Sequence, residues 1–121
     1  MKSILVVDDE RVMCEVLQRI LTRLGYEIAV TDSWESALET FSKKQFDLVL
    51  LDILMPRMNG YRIAKRMRQL RPDQKIVMVT GLCAHTALAY NRSTRIKVND
   101  ILIKPFTFEK LRSVVTKTLD V

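Results

Sequence analysis

Short aliphatic runs that end on an acid, a hydroxyl or a lysine, each followed by a helical pattern, constrain this chain more than any other feature. Phe46 to Leu51 is almost purely aliphatic, and Ser3 to Val7 and Ile76 to Val79 read the same way. A strand with one wet face alternates apolar and polar residues, whereas a strand covered on both faces does not. These runs therefore belong to a sheet with helices on both sides, which is a parallel sheet joined by crossover helices.

The remaining elements fall into the same rhythm. Val12 to Leu24 places Val12, Val16, Leu17, Ile20, Leu21 and Leu24 at helical spacing, and Gly25 stops that helix before a strand from Tyr26 to Thr31. Asp32 or Ser33, with Glu35 or Ser36, starts a helix whose Ala37, Leu38 and Phe41 face inward. Tyr61 to Leu70 carries Ile63, Ala64, Met67 and Leu70 on one stripe, with Arg62, Lys65 and Arg66 expected on a solvated face. A helix is expected from Ala84 to about Ile96 and a strand from Asp100 to Ile103. Thr107 caps a last helix with Leu111, Val114, Val115 and Leu119 inward. The expectation is an α/β fold, a (βα)5 flavodoxin-like doubly wound parallel sheet with strand order 2-1-3-4-5 and right-handed crossovers.

At 121 residues the chain is expected to be one domain, 1–121, and 48% apolar residues with only three Gly and three Pro exclude a disordered or collagen-like chain. Cys14 and Cys83, with His85 as the one histidine, fall short of a zinc site and read as reduced core thiols. The N-terminus turns acidic too soon for a signal peptide, so a cytoplasmic protein is expected. The longest stretch without charge, Ile76 to Asn91, contains Thr80, Gly81, His85 and Asn91 and is no membrane span. Charge is split: residues 1–54 hold six bases and ten acids, residues 55–121 fourteen and four. No nucleic-acid motif accompanies the basic half, so no direct nucleic-acid binding is expected.

In a sheet of this topology ligands sit at the carboxyl ends of the strands, beside the first and third. There the chain places Asp8 and Asp9, followed by Glu10, and Asp52. Carboxylates so close raise one another's pKa values unless a hard divalent cation such as Mg²⁺ neutralises them. Strand four ends in Thr80 and strand five in Lys104, before Pro105, so a hydroxyl and an ammonium face the same crevice. Acids, Mg²⁺, a lysine and a hydroxyl are what phosphoryl transfer requires, with Asp52 as nucleophile.

The order VVDDE, LVLLDILMPRMNG, VMVTG and ILIKPF resembles the receiver domain (CheY-like) of bacterial two-component response regulators over nearly the whole chain. Its most specific part is Asp52, Met55, Pro56, Met58, Asn59 and Gly60, beside the acidic pair and Lys104-Pro105-Phe106. The resemblance implies that Asp52 takes a phosphoryl group from the phosphohistidine of a sensor histidine kinase or a histidine phosphotransfer protein. It implies that Asp9, Asp52 and the backbone carbonyl of Leu54 hold Mg²⁺, with Asp8 acting through water. Lys104 would pair with the phosphoryl oxygens, and Thr80 would swing in to bond them and shift a surface read by a downstream effector domain or protein. The Lys104–Pro105 peptide is expected to be cis. Such a domain promotes its own Mg²⁺-dependent phosphorylation and dephosphorylation and is not a turnover enzyme.

The sequence departs from the receiver pattern between Thr80 and Lys104, at Gly81, which stands where Ala is frequent, and at Ile101. The stretch from Thr80 to Lys104 is about two residues long for a receiver, with RIKVND before the fifth strand. The position of the usual reporter aromatic holds Ile101, so switching is expected through rearrangement of residues 81–104 rather than ring rotation. Leu54 and Leu82 stand where receivers tune dephosphorylation, and neither can orient water, so a long-lived phosphoaspartate is expected. A flavodoxin-like cofactor binder would need a Gly, Ser or Thr-rich loop where DDER stands. A haloacid-dehalogenase-like phosphatase would need a second Asp at Leu54. The remaining alternative is a phosphorylation-independent pseudo-receiver, an interaction module. The sequence fits either a stand-alone receiver or the N-terminal piece of a longer regulator.

Overall fold

The computed structural model describes residues 1–82, 86–87, 89, 92 and 96–120. Its elements are β1 (Ser3–Val7), α1 (Arg11–Arg23), β2 (Glu27–Thr31), α2 (Trp34–Lys43), β3 (Leu48–Asp52), β4 (Leu54–Met55), β5 (Met58–Asn59), α3 (Gly60–Leu70), β6 (Ile76–Thr80), β7 (Asp100–Ile103) and α4 (Phe108–Leu119). The five long strands form one sheet in the order β2-β1-β3-β6-β7, every pairing parallel. Counting only those five, the order is 2-1-3-4-5, as the alternation predicts.

Each central strand feeds two cores at once, which is why its sequence has no polar face. Leu5, Val7, Val49, Leu51, Ile76 and Met78 pack with Ala37, Phe41, Ile63, Ala64 and Met67 of α2 and α3. Their neighbours Ile4, Val6, Leu48, Leu50, Val77 and Val79 pack on the other side with Cys14, Leu17, Leu21, Leu111, Val114 and Val115 of α1 and α4. Side-chain caps fix three helix starts: Ser33, Asn59 and Thr107 accept from the backbone N–H of Ser36, Tyr61 and Lys110.

The structure corrects several details. Val12 and Val16 are exposed (72% and 42%), because α1 buries the stripe Cys14, Leu17, Leu21, with the Cys14 thiol in the core as expected. Leu70 closes α3 and is 56% exposed, so Met67 is the last residue of the stripe that reaches the core. The two-residue ladder β4–β5, absent from the pattern, turns at Pro56 and Arg57. Arg57 sits at φ 67, the left-handed region normally left to Gly or Asn, and Pro56 before it presets the first corner of a type II turn. Of the helix expected from Ala84 to about Ile96, Thr86, Ala87, Ala89 and Arg92 are helical and Ala87 is fully buried. The rest of that stretch up to Arg95, with Cys83 and His85, lies outside the described residues. Among the described residues no helix is long and apolar enough to cross a membrane.

Candidate functional site

The parallel register sets the site. β1 and β3 run side by side with Val7 opposite Leu51, so the residues that follow, Asp8 and Asp52, emerge together at the carboxyl edge. β6 and β7 end beside them, and the Lys104 amide donates to the Thr80 carbonyl at 2.6 Å, which ties the lysine to the edge of the fourth long strand. The Lys104–Pro105 peptide is cis.

Gly60 explains the run that follows Asp52. A Cβ there would stand 2.2 Å from the Asp52 carbonyl oxygen and 2.8 Å from Ile53 Cα, so only glycine lets α3 begin against that strand end. The Gly60 amide donates to the Ile53 carbonyl, at 2.6 Å, and Asn59 caps the helix just before it. The loop is thereby closed over Asp52, whose Oδ1 accepts from the Leu54 amide at 3.3 Å.

Lys104 is the hub. Its Nζ donates to Asp8 Oδ2 at 2.8 Å and to Glu10 Oε1 at 2.9 Å, and lies 3.6 Å from Asp52 Oδ2. Burial alone would lower the ammonium pKa, but the bonds to Asp8 and Glu10 and the charge of Asp52 outweigh it and hold it above its ordinary value. Asp52 is 6% exposed. Burial pushes its carboxyl up to about 6; Lys104 opposes this and the Asp8 charge adds to it. At neutral pH most of Asp52 is therefore ionised, as a nucleophile must be.

The structure brings together Asp8, Asp52, Lys104 and Thr80, all buried or nearly so, and places Leu54 next to them. Thr80 Oγ1 accepts from the Leu82 amide at 3.1 Å. Asp9, expected as a metal ligand, is exposed and lines a cleft with Arg11, Cys14 and Asp32, and its charge is among those that raise the Asp52 pKa. Glu10 also enters the site: carboxylate oxygens of Asp8, Glu10 and Asp52 lie within 4.8 Å of one another. The turn decides this, because Asp8 Oδ1 accepts from the Glu10 amide at 2.9 Å and folds the chain back over Lys104. Glu10 is also the N-cap of α1, yet its side chain makes no cap bond and goes to Lys104 instead. The sequence signal was the third acid after the pair, which strand position alone could not rank.

Three carboxylates against one ammonium leave the crevice strongly negative, and an all-oxygen donor set fits a small divalent cation such as Mg²⁺. Cys14 belongs to the scaffold: its Sγ donates to the Asp8 carbonyl at 3.1 Å, and burial, helped by the Asp8 charge, pushes the thiol up to about 11.

Residues 4–116 match the model of the response regulator receiver domain family. The response regulator receiver protein CpdR of Brucella abortus is 35% identical over 98% of both chains. The transcriptional regulatory protein ZraR of Escherichia coli K12 is 35% identical over 97% of this chain, and the probable transcriptional regulator ycf27 of Cyanidium caldarium is 33% identical over 96% of it. The chain spans about a quarter of the first and under half of the second of these two regulators. Among solved structures, the response regulator TrrA of Thermotoga maritima, in complex with Mg²⁺ and BeF, superposes with a TM-score of 0.86 at 35% identity, over 98% of this chain and all of that one. A putative response regulator from Chloroflexus aurantiacus gives 0.90 at 32%, over 99% and 98%. With an acid crevice at the carboxyl edge of a 2-1-3-4-5 sheet and relatives of this kind across its length, the chain belongs to the response regulator receiver domain family.

Proposed function

We propose that this receiver domain is a phosphoacceptor in two-component signalling, with Asp52 as the accepting group and a phosphohistidine on a sensor histidine kinase or a histidine phosphotransfer protein as the donor. The observation that carries the reading is the convergence of Asp8, Glu10 and Asp52 on one buried ammonium at the strand ends. An Asp52 carboxylate oxygen attacks phosphorus in line, the phosphorus–nitrogen bond to the donor breaks with its electron pair going to the ring nitrogen, and the donor imidazole, protonated at its other nitrogen, leaves neutral. The product is an aspartyl phosphate.

Asp8 and Asp52, with Glu10 or Asp9, would hold Mg²⁺, which when bound neutralises charge on the phosphoryl oxygens. Lys104 stays charged and pairs with a phosphoryl oxygen in exchange for one of its carboxylates. The Thr80 hydroxyl, now tied to the Leu82 amide, turns to the new oxygens and carries the loop after β6 with it. An effector domain or protein reads that change. Each domain accepts once and is restored by hydrolysis, so it is not a turnover enzyme, and its setting is the cytoplasm. Leu54 and Leu82 offer no group to orient attacking water, so the phosphoaspartate outlasts that of receivers with polar side chains there; decay within seconds would contradict this.

The test is intact mass after incubation with acetyl phosphate and Mg²⁺. One added phosphoryl group, absent in Asp52→Asn and in a chelated sample, is expected. No adduct in any sample, and no response to beryllofluoride, would leave an interaction module with no phosphorylation cycle.

A further inference from the structure

Between Asp52 and Asp73 the chain holds six cations, Arg57, Arg62, Lys65, Arg66, Arg68 and Arg71, and no acid. Two of them are used by the fold. Arg68 donates to the carbonyls of Gln74 and Lys97 and to Asn99 Oδ1, and Arg71 donates to the Lys44 carbonyl and stacks 4.2 Å from the Phe41 ring centroid. Arg62, Lys65 and Arg66 are exposed and in no ion pair among the described residues. Among the described residues folding draws no ion pair from them. At spacings of three and four they repel one another, and Arg62 stands in the first turn of a helix that has no acid there, against the helix dipole.

The same three cations wall a groove of about 550 Å³ between α2 and α3, whose floor is Trp34, Leu38 and Ile63. The carboxylates of α2 do not line it, and Glu39 is bound to Lys43. The Trp34 indole N–H is buried and has no acceptor among the described residues, so the ring is held by packing alone.

We propose that this groove docks an acidic amphipathic segment of a partner protein, with an apolar side chain against Trp34, Leu38 and Ile63 and carboxylates on Arg62, Lys65 and Arg66. An apolar floor between cationic walls fits a helix laid in a groove. Three cations within five helical residues span only about 6 Å along the axis, too short to follow a nucleic-acid backbone. The groove is on the helical flank and is separate from the acid crevice.

Trp34 is the only tryptophan, so its emission reports on the groove directly. The probe is a 16-residue helix-forming peptide carrying Leu and Glu on one face, titrated at low salt into the full chain. Saturable change with Kd in the range of about 10–100 μM is expected, weakened several-fold at high salt. Arg62→Glu with Arg66→Glu should cost at least about tenfold with unchanged circular dichroism. A peptide of equal charge with Ser for Leu should also lose about tenfold, because the floor then has nothing to hold. Equal binding by that Ser peptide would reduce the groove to a nonspecific charged patch and overturn the proposal. So would no saturable change, tighter binding of a single-stranded oligonucleotide, or self-association that the double variant abolishes and the peptide does not displace.

Discussion

The two rims of the sheet solve opposite problems. At the amino ends of the strands three polar side chains are spent on backbone. Asp47 accepts from the Ser3 amide at 2.7 Å, Gln74 donates to the Phe46 carbonyl at 3.0 Å, and Asn99 accepts from the Ile76 amide at 2.8 Å and from Arg68. At the carboxyl ends Asp8, Glu10 and Asp52 share one ammonium, and burial raises the Asp52 pKa. One rim is saturated with hydrogen bonds and the other is short of positive charge. A rim that folding alone had shaped would resemble the first, and the imbalance at the second fits a ligand that brings positive charge.

The largest break in this comparison comes from Lys104→Met. Asp8 is 2% exposed and would be left buried without a counter-charge, which costs about 3 kcal/mol in metal-free buffer. Urea unfolding with and without Mg²⁺ checks this: the cation should recover part of the loss. A loss under about 1 kcal/mol would mean that the carboxyl rim carries no such load.

Asp52→Asn should move stability the other way. A folded-state pKa raised from 3.8 to about 6 means that ionisation of Asp52 favours the unfolded chain. The penalty is absent below pH 3.8, where both states are protonated, grows as pH rises towards 6, and is full above it. The variant should therefore be more stable by about 2 kcal/mol at pH 7 without metal, with the gap closing by about pH 4. Mg²⁺ should narrow it by binding the native wild type. Equal stability at pH 7 would refute a strained acceptor.

Asn99→Ala tests the saturated rim. It removes the acceptor of the buried Ile76 amide and one partner of Arg68, so a loss of about 1.5 kcal/mol is expected with phosphoryl acceptance unchanged. A fall in acceptance would couple the two rims.

The sequence showed the carboxyl rim because strand ends are marked by abrupt changes of residue type, from VV to DDE and from LVLL to D. The positions of Asp52, Thr80 and Lys104 at strand ends follow from such changes, whereas the 2-1-3-4-5 order rests on the usual topology of five crossover-linked strands and on the receiver resemblance. The amino-end rim was not legible, since Asp47, Gln74 and Asn99 are ordinary loop residues until their backbone partners are known. Two further details depended on geometry within one helical turn. Val12 and Val16 belong to the aliphatic pattern of α1, but Cys14 occupies the buried stripe and turns them to solvent. In Asp8-Asp9-Glu10 three adjacent carboxylates compete, and the backbone bond from the Glu10 amide to Asp8 Oδ1 selects the first and third.

That selection makes Glu10→Gln the finest test of the acid rim. The Glu10 side chain is 60% exposed and its bond to Lys104 faces water, so its loss should change stability by less than about 0.5 kcal/mol. Lys104 keeps Asp8, and the buried pair stays intact. Divalent binding responds to the number of charged oxygens, so the Mg²⁺ affinity measured by calorimetry should fall about threefold or more. Asp9→Asn is the matched control, because it removes an equal charge one residue away from an exposed carboxylate. If Asp9→Asn weakens Mg²⁺ and Glu10→Gln does not, the turn must reverse on binding, Asp9 is the ligand that the resemblance implied, and Glu10 serves only to hold Lys104 until the cation arrives.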